Sequence, residues 1–418
     1  MAASTSKAPK ASSKISPMRR LSRCVVALSA AGLALLAGCA VAPTGPVTPT
    51  GPAPHAAPAL GPSPGPAPAL PAPTHADLGP TPPPLLRPHA RWVPVPWSAL
   101  PGWQADRSAD LWPALLAGCA RPAPGWAVLC ARAAAFAPPD DEFARQFLQR
   151  ELQPYRVESL DGDAQGLATG YFEPLLLASR RAKPGFATAV HRPPADLAQR
   201  RPYWTRQQLD RLPAAGAALR GQEIAYLASA LDLLVLQIQG SGRLRIIEPD
   251  GSQRTVRLAF AGHNDQPYRS VGRWLIDQGE LKPEGANWPA IRDWAQRAAP
   301  ERQQQMLWAN PRVVFFREEA LTDDALGPRG AQGVALSAGR SVAVDPLAVP
   351  YGTPLWIDTT EPLSATPLRR LVMAQDTGSA ITGAVRVDYF WGAGDAAEQQ
   401  AGRMKQALRL WALWPRGD

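Results

Sequence analysis

The chain has 418 residues, with 44 Lys and Arg against 35 Asp and Glu, a formal charge of +9, and four cysteines. Six of the cations, Lys7, Lys10, Lys14, Arg19, Arg20 and Arg23, crowd the amino terminus with no acidic residue among them. The remainder is near +3 and holds no Lys/Arg block interleaved with aromatics, which argues against a nucleic-acid binder.

The basic leader runs into an apolar segment, Cys24 to Ala37, about half the ~20 residues of a spanning helix. Leu36-Ala-Gly-Cys39 then places small residues before a cysteine where cleavage is expected. Residues 1–38 therefore read as a lipoprotein signal peptide, cut before Cys39. A lipidated Cys39 with three acyl chains, at ~0.8 kcal/mol per buried methylene, holds a membrane far better than one chain does. The plainer alternative is an ordinary cleaved signal with a chance cysteine. Ala40, not Asp, follows the cysteine, and resemblance to Gram-negative lipoprotein sorting then implies the outer membrane, facing the periplasm.

Residues 39–90 comprise the lipidated cysteine and a stretch dominated by Pro, Ala, Gly and Thr. Such a composition buries too little apolar surface to offset its ordering entropy, so a disordered, polyproline-leaning spacer is expected. A passive low-complexity tail fits the same composition.

Residues 91–175 are expected to hold a helical part followed by a strand. From about Trp92 to Tyr155 the pattern reads as short helices, one capped by Ser108 or Asp110, others over Trp126–Phe136 and Asp141–Leu152. Gly166 to Leu177 reads as a strand bent at Glu173-Pro174. Residues 176–325 are mixed: helices at Arg206–Leu212, Arg269–Gln278 and Trp288–Ala298, strands at Asp232–Gln239 and Arg243–Glu248, and a hairpin at Pro249-Asp-Gly251. After Asn310-Pro311 come short strands: Val313–Arg317, Gly333–Leu336, Val342–Val344, Pro354–Ile357, Arg370–Gln375 and Gly383–Asp388. Gly and Pro between them indicate a closed β-barrel rather than an open parallel sheet.

Cys119 and Cys130 remain once Cys24 leaves with the leader and Cys39 is the anchor. In an exported domain this close pair reads as a disulfide. Zinc is the rival, and it lacks ligands: His55, His75 and His89 fall in the spacer, and His191 and His263 show no zinc-type spacing. The reading calls for no metal and no cofactor.

Signatures of an activated nucleophile, a P-loop or a dinucleotide site are absent. Carboxylates on glycine-punctuated strands stand out instead: Asp345, Asp376 and Asp388. Alternation sends Val385, Val387 and Tyr389 to one face and Arg386 and Asp388 to the other. The apolar set belongs in a core, so Asp388 faces a cleft or solvent beside Phe390 and Trp391. A carboxyl desolvated there would hold its proton near neutral pH; a solvated strand-end aspartate is the bland alternative. Asp345 before Pro346 reads as a turn residue. Asp376-Thr-Gly reads either as site or as an Asx-type turn. An aspartic protease needs a second such triplet, and Asp358-Thr-Thr lacks the glycine.

Several stretches together resemble the membrane-bound lytic murein transglycosylase A family. They are Thr169-Gly-Tyr-Phe-Glu-Pro, Leu236-Gln-Ile-Gln-Gly-Ser-Gly-Arg, Pro267-Tyr-Arg-Ser-Val-Gly-Arg, Asn310-Pro-Arg-Val-Val-Phe-Phe-Arg, the run from Arg340 to Trp356, and Ala374 to Trp391 continuing through Ala401-Gly-Arg-Met-Lys-Gln. The resemblance implies a mainly β protein with short helices: a double-psi β-barrel with an inserted smaller β-domain, and a glycan groove between them. The family's three-aspartate region is matched by Asp345, Asp376 and Asp388, and its catalytic acid by Asp388, with Asp376 beside it. Ser379 departs from the usual glycine, which matters only if that position has positive φ. Thr169, Tyr171, Glu173, Gln237, Gln239, Ser241, Gly242, Arg243 and Trp391 are candidates for substrate contacts.

The implied reaction cleaves peptidoglycan between N-acetylmuramic acid and N-acetylglucosamine. Asp388 would serve first as acid and then as base for the muramyl C6 hydroxyl, which closes a 1,6-anhydro ring. Expected partners are peptidoglycan strands, the outer membrane and cell-wall enzyme complexes. Two rivals stay open: an inverting hydrolase using Asp376 and Asp388 as a pair, and a membrane-anchored peptidoglycan-binding module without turnover.

Overall fold

The computed structural model describes residues 82–138 and 140–416. The expected signal peptide, Cys39 and most of the expected spacer lie outside the described residues. The chain opens with β1 (Leu85–Arg87), β2 (Ala90–Pro94), α1 (Trp112–Cys119), α2 (Ala127–Ala134), α3 (Asp141–Glu151), β3 (Leu152–Glu158) and β4 (Gly166–Glu173). Then come β5 (Leu175–Ser179), β6 (Thr188–His191), α4 (Arg206–Arg211), α5 (Pro213–Ala217), β7 (Glu223–Leu227), α6 (Ala230–Gln239), β8 (Gly242–Ile247), β9 (Gln253–His263), α7 (Val271–Asp277), α8 (Trp288–Arg297), α9 (Pro300–Ala309) and β10 (Val314–Ala320). The last part holds β11 (Ser341–Ala343), β12 (Pro354–Thr360), β13 (Pro367–Asp376), β14 (Arg386–Ala393), α10 (Asp395–Ala401) and β15 (Lys405–Pro415).

The long strand β15 closes the barrel. Its start pairs with β4, Lys405 opposite Thr169. Its middle pairs with β12, Trp356 opposite Trp411, and its end with β3. Together with β12–β13, β13–β11, β11–β14 and β14–β4, these pairings make a ring, with β1, β2 and β3 as an extension. Alternation fills it: Val342, Leu355, Ile357, Val372, Val387, Tyr389, Leu408 and Leu410 form one core. Residues of opposite parity, Trp356, Leu371, Met373, Trp411 and Leu413, point outward and are covered by α1, α2 and α3. The Cys119–Cys130 disulfide ties α1 to α2, with Cα atoms 5.4 Å apart.

A second sheet, ordered β10-β9-β8-β5-β7-β6, is built from residues that leave the barrel after β4. α6 packs on it through Leu236, and α7, α8 and α9 form a further layer around Leu234 and Leu275. At the crossing, Glu173 is fully buried. It accepts bonds from Arg243 Nε and Arg257 Nε, both at 2.7 Å. The two guanidinium groups also bond the carbonyls of Asp324 and Leu326, on the segment that returns to the barrel.

Several expectations are corrected. Asp232–Gln239 is a helix, not a strand. Ser229 caps it, accepting from Leu231 N and Asp232 N, and Gly240 ends it in the left-handed conformation that suits glycine. An apolar run buried on most sides carries no period to tell the two apart. The 92–155 stretch is not all helical, because β2 and β3 flank its helices. Neither Ser108 nor Asp110 caps α1: the Ser108 hydroxyl donates to Asp106, and Asp110 accepts from Arg107. Gly333–Leu336 forms only an isolated bridge near Ala335. The expected spacer ends too late, since β1 and β2 fall at Leu85–Arg87 and Ala90–Pro94, and His89 lies in the β1–β2 turn with its Nδ1 2.8 Å from Asp345. The helices α9 and α10 were not foreseen.

Candidate active site

Strand pairing aligns the site. Ala343, on the short β11, is the register partner of Asp376 on β13 and of Asp388 on β14. Asp388 is in turn opposite Thr169 on β4, and Thr169 opposite Lys405 on β15. Opposed residues share a face of the sheet, so Asp376, Asp388, Thr169 and Lys405 form one row. That row faces a groove of 610 Å³, whose other wall comes from Ile238 and Gln239 of α6, Tyr268, Ser270 and the Asn287–Trp288 turn.

Asp388 is part-buried there, with Val387 and Tyr389 in the barrel core on the other face. The Thr169 hydroxyl donates to its Oδ1 at 2.5 Å, and among the described residues nothing bonds Oδ2. Burial pushes the Asp388 pKa up, against smaller downward pulls from the Thr169 bond and the Arg386 charge. Asp376 is held differently. Ala331 N donates to Oδ1 at 2.9 Å and the Tyr171 hydroxyl to Oδ2 at 3.0 Å. Its pKa rises to about 6, chiefly through burial, which outweighs these donors; the Asp388 charge adds a smaller push. The arrangement supplies a desolvated acid with one open oxygen, beside a second carboxylate whose oxygens are both engaged.

Asp345 plays no part in the groove. It is buried after β11; Oδ1 accepts from Leu347 N, and Oδ2 from His89 and from Gly383 N. These bonds outweigh desolvation and hold its pKa below the usual carboxylate value.

Among the substrate candidates, Thr169, Tyr171 and Gln239 line the groove. Gln239 also accepts from Phe172 N. Tyr171 is buried against Phe390 and offers its hydroxyl, not its ring face, to the site. The others lie outside the groove. Glu173 and Arg243 are spent on the domain crossing described above. Gln237 is buried between the Arg206 guanidinium and the Val314 carbonyl. Ser241 is buried, and a side chain at Gly242 would collide with Leu236. Trp391 packs behind Gly170 and edge-on to Tyr389. Ser379 is exposed, and its φ is not in the left-handed region. Sequence reasoning missed Tyr268, Asn287, Trp288, Arg403 and Lys405 as groove residues. Their only signal was the family-like motifs around Tyr268 and Lys405; no chemistry in their spacing marked them.

Comparison with known proteins identifies the family. Residues 167–317 match the MltA specific insert domain and residues 340–414 the 3D domain. The membrane-bound lytic murein transglycosylase A of Escherichia coli K12 is 30% identical over 279 residues, spanning 64% of this chain and 71% of that protein. The chain belongs to the membrane-bound lytic murein transglycosylase A family. Among solved structures, the lytic transglycosylase LtgG of Burkholderia pseudomallei is 43% identical, covering 78% of this chain and 96% of that one, with a TM-score of 0.55. MltA from Neisseria gonorrhoeae is 32% identical over 81% and 96%, with a TM-score of 0.68. E. coli MltA with bound chitohexaose is 25% identical over 81% and 96%, with a TM-score of 0.61. Like these family members, the chain is an enzyme with a β-barrel and an inserted second domain. Its relatives are named membrane-bound, while no helix among its described residues is long and apolar enough to cross a membrane.

Proposed function

We propose that this enzyme is a peptidoglycan lytic transglycosylase that uses Asp388 as acid and then as base. It cleaves the β-1,4 bond between N-acetylmuramic acid and N-acetylglucosamine. The observation that carries this reading is the half-engaged carboxyl of Asp388 on the groove floor, raised in pKa by burial. Neutral Asp388 gives its proton to the glycosidic oxygen as the C1–O4 bond breaks. The resulting carboxylate takes the proton of the C6 hydroxyl as O6 bonds C1, and the acid is restored. Because the nucleophile belongs to the substrate, no second carboxylate has to activate water. Asp376 acts as a fixed neighbour: its two oxygens are engaged by Ala331 and Tyr171, which disfavours an inverting hydrolase pair.

Mass spectrometry of muropeptides released by the purified soluble domain tests the reading. Products carrying 1,6-anhydro-N-acetylmuramic acid support it. Reducing-end products would establish hydrolysis, and binding without release would establish a non-catalytic module.

The Leu36-Ala-Gly-Cys39 junction supports acylation at Cys39 and an outer-membrane position facing the periplasm, with residues 40 to about 84 as the tether. Membrane fractionation of Cys39→Ala tests this, since retention on the membrane would refute it. The barrel would then comprise roughly residues 91–175 and 326–418, and the insert 176–325. Cell-wall enzyme complexes are the natural partners of an enzyme so placed.

A further inference from the structure

We propose that Arg386, acting through the Thr169 hydroxyl, confines the exchangeable proton of Asp388 to Oδ2. The inference rests on the acid–base role assigned to Asp388 above. Arg386 and Asp388 sit two residues apart on β14, on the same face of the strand. They form no direct ion pair among the described residues. Instead, Arg386 Nη2 donates to Thr169 Oγ1 at 2.9 Å, and its Nη1 is fixed by the carbonyls of Leu167 and Val387. Thr169 Oγ1 lies 2.5 Å from Asp388 Oδ1.

The direction of these bonds follows from donor counting. A guanidinium has no acceptor, so Arg386 can only donate to the hydroxyl. The Thr169 hydroxyl then has one proton to place, and among the described residues Asp388 Oδ1 is the only acceptor bonded to it. A proton on Oδ1 would leave the Thr169 hydrogen without a partner in a part-buried site, at the cost of an unsatisfied donor. Oδ1 is therefore held as an acceptor in both protonation states, and the catalytic proton resides on Oδ2, the oxygen that no described residue bonds. One oxygen thus gives the proton to the leaving group and recovers it from the C6 hydroxyl, with no rotation of the carboxyl between the two steps. Thr169 and Arg386 are positioning residues here. The same bond keeps burial from raising the acid too far, because a donor to the carboxylate favours its charged form.

The test uses Thr169→Val, Thr169→Ser, Arg386→Met and Arg386→Lys in the soluble enzyme, with turnover of peptidoglycan followed against pH. Thr169→Val should lower kcat about tenfold or more with KM little changed. It should also move the ionisation of Asp388 upward by about one pH unit, the loss of one donor to a charged group. Thr169→Ser should restore both, and Arg386→Lys should resemble wild type more closely than Arg386→Met does. Difference infrared spectroscopy gives a readout independent of turnover. The carboxylic C=O band that disappears in Asp388→Asn should shift to higher frequency in Thr169→Val, where Oδ1 has lost its donor. A wild-type pH profile and an unshifted band in Thr169→Val would overturn the proposal. All of these outcomes are read with 1,6-anhydro products as the signal, so reducing-end products from the wild-type enzyme would instead refute the underlying reaction.

Discussion

Asp345 and Asp388 belong to one barrel and flank the same short strand, yet their surroundings push them in opposite directions. Asp345 sits in the turn after β11 with three donors converging on it, from His89, Leu347 and Gly383, and its pKa is lowered. Asp388 sits on the groove face of β14 with one donor, from Thr169, and its pKa is raised. Both are desolvated. The balance of burial against donors decides which carboxyl is locked as a structural anion and which keeps a proton to exchange. Asp376 falls between: it has donors to both oxygens, but deep burial still lifts it to about 6.

The sharpest way to break this contrast is Asp388→Asn. It keeps the shape and removes both proton transfers, so turnover should fall by at least ~10²–10⁴-fold while glycan binding survives. Near-wild-type release of anhydro products would remove Asp388 from the mechanism. At the domain crossing, Glu173→Gln strips the buried charge that pairs with Arg243 and Arg257. The expected loss is ~3–5 kcal/mol in urea unfolding, because two buried cations are left uncompensated; a variant as stable as wild type would deny the clamp.

Asp345→Asn should cost about 1–3 kcal/mol, with kcat little changed at neutral pH. The pH dependence gives it a sign. A carboxyl whose folded pKa is lowered contributes stability that is present above its unfolded pKa of about 3.9 and lost as pH falls through the folded value. The wild type should therefore lose this increment in acid, and Asp345→Asn should have none to lose. Equal acid sensitivity of the two proteins would show that Asp345 is not the anion described.

Asp376→Asn should act more mildly, mainly on the pH profile. The Asp388 charge helps hold Asp376 at about 6, so the two carboxyls titrate together, and Asp376→Asn should shift the limb of the pH–rate profile that their ionisation sets; an unmoved profile would show that they do not interact. On stability the sign is opposite to that of Asp345. The raised folded pKa makes wild-type stability decline as pH climbs from about 4 to 6, and Asp376→Asn should flatten that window. Smallest of all, Ser379→Gly should change stability by under ~0.5 kcal/mol, since the residue is exposed and does not need a left-handed backbone. A larger gain by calorimetry would show strain at that position.

Much of the site was legible along the chain. The alternation of Val385, Val387 and Tyr389 against Arg386 and Asp388 fixes which side of β14 meets the core, and a two-residue period survives folding whatever the strand pairs with. Asp-Pro likewise announced Asp345 as a turn residue, whereas Asp376-Thr-Gly left site and Asx-type turn open, and only the pairing of β13 with β11 turns Asp376 to the groove. Glu173, Gln237 and Arg243, candidates for sugar contacts, are bonded within the protein away from the groove lining, for a reason the sequence hides. A polar residue in a family-like motif looks the same in sequence whether it meets a ligand or satisfies another buried group. The helix at Ala230–Gln239 was missed although Ser229 and Gly240 marked both its ends, because its apolar run lacked a period.

By itself, then, the sequence determined the identities and facings of the chemical groups: a basic leader running into an apolar segment, two domain cysteines a short loop apart, and a carboxyl on the polar side of a core strand. Tertiary structure decided which groups meet. The pairing of β14 with β4 brings Thr169 to Asp388 across 219 positions of chain, and the β1–β2 turn carries His89 to Asp345 across 256. Donor counts, and with them the opposite pKa shifts of like residues, are properties of such long-range contacts. They depend on desolvation and bond partners that no local pattern encodes.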